Sequence, residues 1–132
     1  MNNCIFCQIG KREIPSYSIY EDKHFLAFLD IKPRNKGHTL VITKKHYRWV
    51  WDVQEEYSKT VNKIANGLKK AFNTEFVVSF VIGEEVPHAH IHLVPRFPGD
   101  GHGALIDLSK VREFSDEEFK KITENIKKHL KV

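Results

Sequence analysis

Two cysteines among 132 residues are too few for a disulfide framework. A single pair three positions apart, Cys4 and Cys7, reads instead as metal or redox chemistry in a reducing compartment. Long apolar runs are also missing. The first twenty residues, MNNCIFCQIGKREIPSYSIY, contain none, and no later stretch approaches the roughly 20 apolar residues of a membrane span. No signal peptide, no membrane partner and a cytoplasmic location are therefore expected. Nor does one sign of charge dominate: 21 Lys and Arg against 17 Asp and Glu leave +4, with both signs mixed through most of the chain. A nucleic-acid groove is more typically strongly basic, with Lys and Arg clustered beside aromatics. No stable nucleic-acid binding is expected, and a small phosphorylated ligand is favoured. The chain is 41% hydrophobic, with nine Phe, four Tyr and two Trp, enough for one folded core and far from the composition of disorder. Its length fits one domain.

Turn chemistry and periodicity place the elements. Tyr17–Tyr20 and Phe25–Ile31 are apolar and aromatic around the polar Glu21, Asp22 and Lys23, which predicts a hairpin. The Pro-containing loop Lys32–Lys36 and Gly37 lead into a third strand, Thr39–Ile42. Asp52 and Glu55 have capping-box spacing, and Tyr57, Val61, Ile64, Ala65, Leu68 and Phe72 follow at helical spacing, which predicts a main helix over Asp52–Asn73. Phe76–Ile82 reads as a central strand, Gly83, Glu84 and Glu85 as a turn, and Ala89–Val94 as a fifth strand. After the glycine-rich Phe97–Gly103, Ser115 and Glu118 form a second capping box. Phe114 and Phe119 are spaced to staple it, and Phe119, Ile122, Ile126 and Leu130 make an apolar stripe. The fold expected is α+β: a five-stranded, mainly antiparallel sheet with one long central helix and a C-terminal helix.

Eight histidines are many for this length, and three of them alternate in HAHIHLVP. On a strand, His88, His90 and His92 share one face, and Ala89, Ile91 and Leu93 the other. A merely solvated face is a poor account of three rings in register on an apolar strand. Two uses compete. Three imidazoles and a water could make an open zinc site, although the outer two lie roughly 13 Å apart on a straight strand. Alternatively each ring has its own task, one as nucleophile and its neighbours binding charge, since imidazole is nucleophilic near neutral pH. Such a row suits an extended phosphate substrate. The CxxC pair is likewise open between a redox centre, half of a zinc site and two packing residues. A redox pair would normally sit at a helix N-terminus after a strand, and no strand precedes this one.

HAHIHLVP matches the histidine-triad (HIT) signature, His-φ-His-φ-His-φ-φ with φ apolar. Together with CIFCQIGKREIPS, FLAFLDIKPRNKGHTLVITKKH and the Pro95-Arg96 pair, the chain resembles bacterial and archaeal members of that family over most of Cys4 to Arg96. The resemblance implies a single domain over 1–132, with a core over 4–96 and a C-terminal loop and helix over 97–132. It also implies a two-fold homodimer, with Trp49 and Trp51 as candidate interface anchors or core residues. The family's chemistry is cleavage at the α-phosphorus of a nucleotide through a nucleotidyl-histidine intermediate. Carried onto this chain, His90 is the nucleophile, His92 the donor to a phosphoryl oxygen or leaving group, and His38 a supporting histidine. The zinc-containing branch implies a structural Zn²⁺ on Cys4, Cys7, His46 and His88.

By the same resemblance Asp30 holds the ribose of a purine nucleotide, with Phe6, Ile9, Phe28 and Ile31 around the base. Leu29, where some relatives carry histidine, would make that wall wholly apolar. The competing reading of Asp30 is a cap on the following loop. The expected substrates are AMP or GMP derivatives: phosphoramidates, adenylates or dinucleoside polyphosphates. The alternatives are a nucleotide-binding or regulatory module with little turnover, and a metal hydrolase using all three histidines. The chain departs from the phosphoramidase branch before the triad, where SFVIGEEVPHAH puts Glu84 and Glu85 at Gln-Ser positions. Gly83 is then the expected backbone donor to phosphate, and the glutamates either form a solvated turn or meet a cation such as a substrate-borne Mg²⁺.

Overall fold

The computed structural model describes residues 3–130. The sheet is five-stranded, with β1 (Ser18–Glu21), β2 (Phe25–Leu29), β3 (Thr39–Thr43), β4 (Val77–Phe80) and β5 (His90–Pro95). Its spatial order is β1-β2-β3-β5-β4 and all its pairs are antiparallel, as the α+β reading anticipates. Three helices flank it: α1 (Ile5–Gly10), α2 (Tyr57–Phe72) and α3 (Asp116–Leu130).

The strand FLAFL is buried at every position because both faces of the sheet are covered. Phe25, Ala27 and Leu29 join Val41, Leu93, Ile64, Leu68, Ile122 and Ile126 in the core under α2 and α3. Leu26 and Phe28 pack with Leu40, Ile42, Phe6 and Ile9 under α1. Period-two alternation thus divides one apolar strand between two cores. On the α2 side Phe25 stacks on Tyr57 with centroids 4.8 Å apart, and the Tyr57 hydroxyl donates to the Val41 carbonyl. Gly67 lets α3 approach α2 closely: a Cβ there would stand 2.3 Å from Leu130 Cδ2. The Ser115–Glu118 box closes as expected, with the Glu118 N–H donating to Ser115 Oγ at 3.1 Å and the Ser115 N–H to Glu118 Oε1 at 2.8 Å. Phe114 meets Phe119 edge to face.

Two expectations need correction. The main helix begins at Tyr57, not Asp52. The Asp52 carboxylate accepts from the Trp49 N–H at 3.1 Å and closes a 3₁₀ turn over Val50–Asp52, while Glu55 accepts from the Tyr47 hydroxyl at 2.8 Å. Both partners of the presumed box are engaged with the preceding segment, so it caps nothing in α2. The second is α1, a short helix where no element was expected. Its N-cap is Cys4, whose Sγ accepts from the Cys7 N–H, so CxxC here doubles as a capping sequence.

Candidate functional site

His90 and His92 project from β5 on the α1 side, opposite Ile42 and Leu40. On that face Phe6 of α1 meets the His90 ring edge-on with centroids 5.0 Å apart. Each ring has one nitrogen engaged by a fixed partner, and the partner determines the tautomer. His90 Nδ1 lies 2.7 Å from the His88 carbonyl. A carbonyl only accepts, so Nδ1 carries the hydrogen and Nε2 is left with a free lone pair. His38 Nδ1 faces the backbone N–H of Arg34 at 3.0 Å. A backbone amide only donates, so the His38 hydrogen is on Nε2, which donates to His92 Nδ1 at 3.0 Å. His92 therefore carries its own hydrogen on Nε2. An acceptor nitrogen and a donor nitrogen stand on neighbouring rings 5.1 Å apart.

Burial keeps these rings neutral. It pushes His38 down to about 3, helped by the charges of His92 and Arg34. It also pushes His92 to about 3, with His90 and Arg34 adding to the effect. His90 is lowered as well, again chiefly by burial. Phe80 of β4 stacks on His92 at 4.5 Å and 14° and fixes its plane; the β4–β5 register pairs the two residues.

His88 belongs to a different cluster. Its Nε2–H donates to the Thr43 carbonyl at 2.7 Å, which turns Nδ1 toward Cys4 Sγ at 3.3 Å, Cys7 Sγ at 3.4 Å and His46 Nδ1 at 3.2 Å. Cys7 Sγ is 3.2 Å from His46 Nδ1. One donor atom from each of the four residues lies within 4.8 Å of all the others. A tetrahedral zinc with these ligands needs donor separations of about 3.3 to 3.8 Å, so the residues fit such an ion closely. Burial and the neighbouring Cys4 thiol push Cys7 up to about 11. The pair does begin a helix, yet its thiols face two imidazoles. His88, His90 and His92 do not converge on one point, which removes the three-histidine metal site.

Asp30 follows β2. Its Oδ1 accepts from the Lys32 N–H at 2.8 Å, the loop cap that was the competing reading. Its Oδ2 lies 3.6 Å from His38 Nε2 and 3.8 Å from Arg34 Nη1. Burial raises this carboxyl despite those partners, and the charge of Glu85 adds to the rise. Phe6, Ile9 and Phe28 are buried together in the core under α1, with Phe6 against His90, whereas Ile31 is 71% exposed. Leu29 departs from expectation: alternation turns it into the α2–α3 core, away from any base wall on the triad side. Gly83 is buried with φ +78°, and a Cβ on it would collide with Trp49. Glu84 and Glu85 are exposed.

The backbone groups that set the tautomers, from Arg34, Thr43 and His88, could not be named from a pattern of side chains. Phe80 carried a partial signal, since it is one of the apolar residues of a strand preceding the triad.

The HIT domain matches residues 11–99. An uncharacterised HIT-like protein of Methanocaldococcus jannaschii is 44% identical over 128 residues, covering 90% of this chain and 98% of that one. An adenosine 5′-monophosphoramidase of Schizosaccharomyces pombe is 31% identical over 134 residues, covering 98% and 99%. A zinc-bound histidine triad family protein of Mycobacterium smegmatis superposes with a TM-score of 0.81 at 28% identity, covering 98% and 94%. With His90 and His92 on β5 and His88 just before it, His38 behind His92 and a matching fold over nearly its whole length, the chain belongs to the HIT family.

Proposed function

We propose that this protein hydrolyses AMP or GMP derivatives at the α-phosphorus through a nucleotide covalently held on His90. The observation that carries this reading is the opposite character of the two open nitrogens: His90 Nε2 has a lone pair, and the adjacent His92 Nε2 has a hydrogen. His90 Nε2 attacks phosphorus, the P–N bond forms and the bond to the leaving group breaks. His92 Nε2–H donates to the phosphoryl oxygen or leaving atom as negative charge develops there, and the departing group takes a proton from water. The His88 carbonyl steadies the positive charge that His90 acquires. Water then displaces His90, releasing the nucleoside monophosphate and a proton. Two fungal relatives, in Saccharomyces cerevisiae and Schizosaccharomyces pombe, are adenosine 5′-monophosphoramidases, which supports the reaction class.

Asp30 is assigned to the ribose hydroxyls through Oδ2, the oxygen its loop cap leaves over, and Phe6, Ile9, Phe28 and Ile31 to the purine. Gly83 N–H is assigned to the α-phosphate. A structural Zn²⁺ on Cys4, Cys7, His46 and His88 would tie α1 to β3 and to the start of β5, which braces the nucleophile's strand. A Mg²⁺ brought with the substrate would have Glu84 and Glu85 to meet. The unpaired edge of β4, with Phe76 69% and Val81 38% exposed beside it, favours a homodimer. Among the described residues no helix is long and apolar enough to cross a membrane, and cytoplasmic residence is part of the proposal. Rapid quench with a nucleotide labelled at the α-phosphate tests the reading: an acid-labile phosphohistidine should form and be absent in His90→Ala. Tight nucleotide binding with neither adduct nor turnover would instead make this a nucleotide-binding module.

A further inference from the structure

Between β5 and α3 the chain forms neither helix nor strand over 97–115, and the HIT match ends at residue 99. This segment is nevertheless held by specific bonds. The Asp100 carboxylate accepts from Arg96 Nε at 2.8 Å, from Asn35 Nδ2 at 2.9 Å and from the N–H groups of Phe97 and His102 at 3.1 Å each. The segment then crosses the loop that joins β2 to β3. The Arg112 N–H donates to the Pro33 carbonyl at 2.7 Å, and Arg112 Nε donates to the Arg34 carbonyl at 3.1 Å. His102 Nε2 lies 2.9 Å from that same carbonyl, while its Nδ1 faces the Asp107 N–H at 3.0 Å. A backbone amide only donates, so the His102 hydrogen is on Nε2 and points at Arg34. In return Arg34 Nε donates to the Leu108 carbonyl at 3.0 Å.

The Pro33 carbonyl and the Arg34 N–H belong to one peptide unit. Arg112 holds its oxygen, and His38 Nδ1 receives its hydrogen at 3.0 Å. A donor on the oxygen polarises the unit and strengthens its N–H as a donor. The next carbonyl, that of Arg34, has both lone pairs occupied by Arg112 and His102, which fixes the far side of the same residue. If this peptide turned its N–H away, His38 could take its hydrogen on Nδ1 and become an acceptor at Nε2. His92 would then turn its own hydrogen inward on Nδ1, and the substrate would meet a bare lone pair where a donor is needed.

We infer that Arg112, assisted by His102, is a positioning residue for His92, acting through the Pro33–Arg34 peptide and His38 without touching substrate. The inference rests on the nucleotidyl-transfer reading, in which His92 Nε2–H is the donor. It gives the segment after the triad strand a part in setting that donor.

Two readouts in the intact protein test it. Long-range proton–nitrogen correlation spectra separate bare ring nitrogens from hydrogen-bearing ones. The parent should show the His92 hydrogen on Nε2, and Arg112→Ala should move part of it to Nδ1. The N–H of residue 112 survives in that variant, but the side chain that holds it against the loop is gone. With adenosine 5′-phosphoramidate, Arg112→Ala should lower kcat about tenfold and leave KM within about twofold. Added to His38→Ala, the same substitution should cost less than about twofold more, because the relay is already broken. Should circular dichroism show Arg112→Ala unfolded, His102→Ala and His102→Gln replace it. Glutamine keeps both bonds of the His102 ring and should stay within about twofold of the parent kcat, whereas alanine should lose about threefold or more. A His92 tautomer unchanged by these substitutions would overturn the inference, as would losses from Arg112→Ala and His38→Ala that multiply. If the parent hydrolyses no phosphoramidate, the nucleotidyl-transfer reading falls, and the spectra still decide whether Arg112 sets the ring.

Discussion

His38 never needs to touch substrate, yet its loss should be severe. Its Nδ1 accepts from the Arg34 N–H, its Nε2–H donates to His92 Nδ1, and it is 1% exposed. His38→Ala removes the ring that forces His92 to carry its hydrogen toward the substrate, and it strands a half-buried amide and a buried ring nitrogen. Two unsatisfied groups and the vacated volume together cost about 2 to 4 kcal/mol, or a melting temperature lower by on the order of 10 °C. A donor present in the wrong tautomer for part of the time forfeits much of the 10²- to 10⁴-fold that general acid–base assistance supplies, so kcat should fall about 100-fold. His38→Gln offers an amide oxygen to Arg34 and an amide N–H to His92, and should recover at least about tenfold of that loss. The assay is phosphoramidate hydrolysis under saturating substrate, at a temperature where circular dichroism shows each variant folded. A folded His38→Ala protein with kcat within about threefold of the parent would falsify the tautomer relay.

His90→Ala should abolish turnover while nucleotide binding measured by calorimetry survives; activity within about tenfold of the parent would remove His90 as nucleophile. The purified protein should hold one zinc per chain by elemental analysis, and Cys7→Ser should lose the metal and melt earlier; a metal-free preparation made without chelators refutes the site. The depressed His38 and His92 stabilise the fold as neutral rings, a contribution fully present above the unfolded histidine value near 6.5 and lost as pH falls toward about 3. Urea unfolding should therefore weaken from pH 6.5 to pH 4 by on the order of 1 kcal/mol per pH unit, and a flat profile would contradict the buried neutral relay. Glu85 is exposed but acts on Asp30, so Glu85→Gln should raise kcat/KM by no more than about threefold; a tenfold fall would give the carboxylate a part in the reaction.

The sequence carried the local information well. Alternation in HAHIHLVP put His90 and His92 on one face, and the Ser115–Glu118 box fixed the start of α3, because both depend on contacts between residues close in the chain. It went wrong where distant partners competed. Asp52 and Glu55 had the spacing of a cap and were taken by Trp49 and Tyr47, and Leu29 was placed beside the base although strand alternation, once β2 was covered on both faces, sent it to the opposite core. The Cys4, Cys7, His46 and His88 cluster was legible only as positions implied by a family pattern; its convergence depends on Thr43 turning His88. What only the tertiary structure decided is which nitrogen of each ring bears its hydrogen. The sequence supplies the imidazoles, but the amide of Arg34 and the carbonyls of Thr43 and His88 reach them only through the folded backbone, and a backbone group has no letter by which its position could be read.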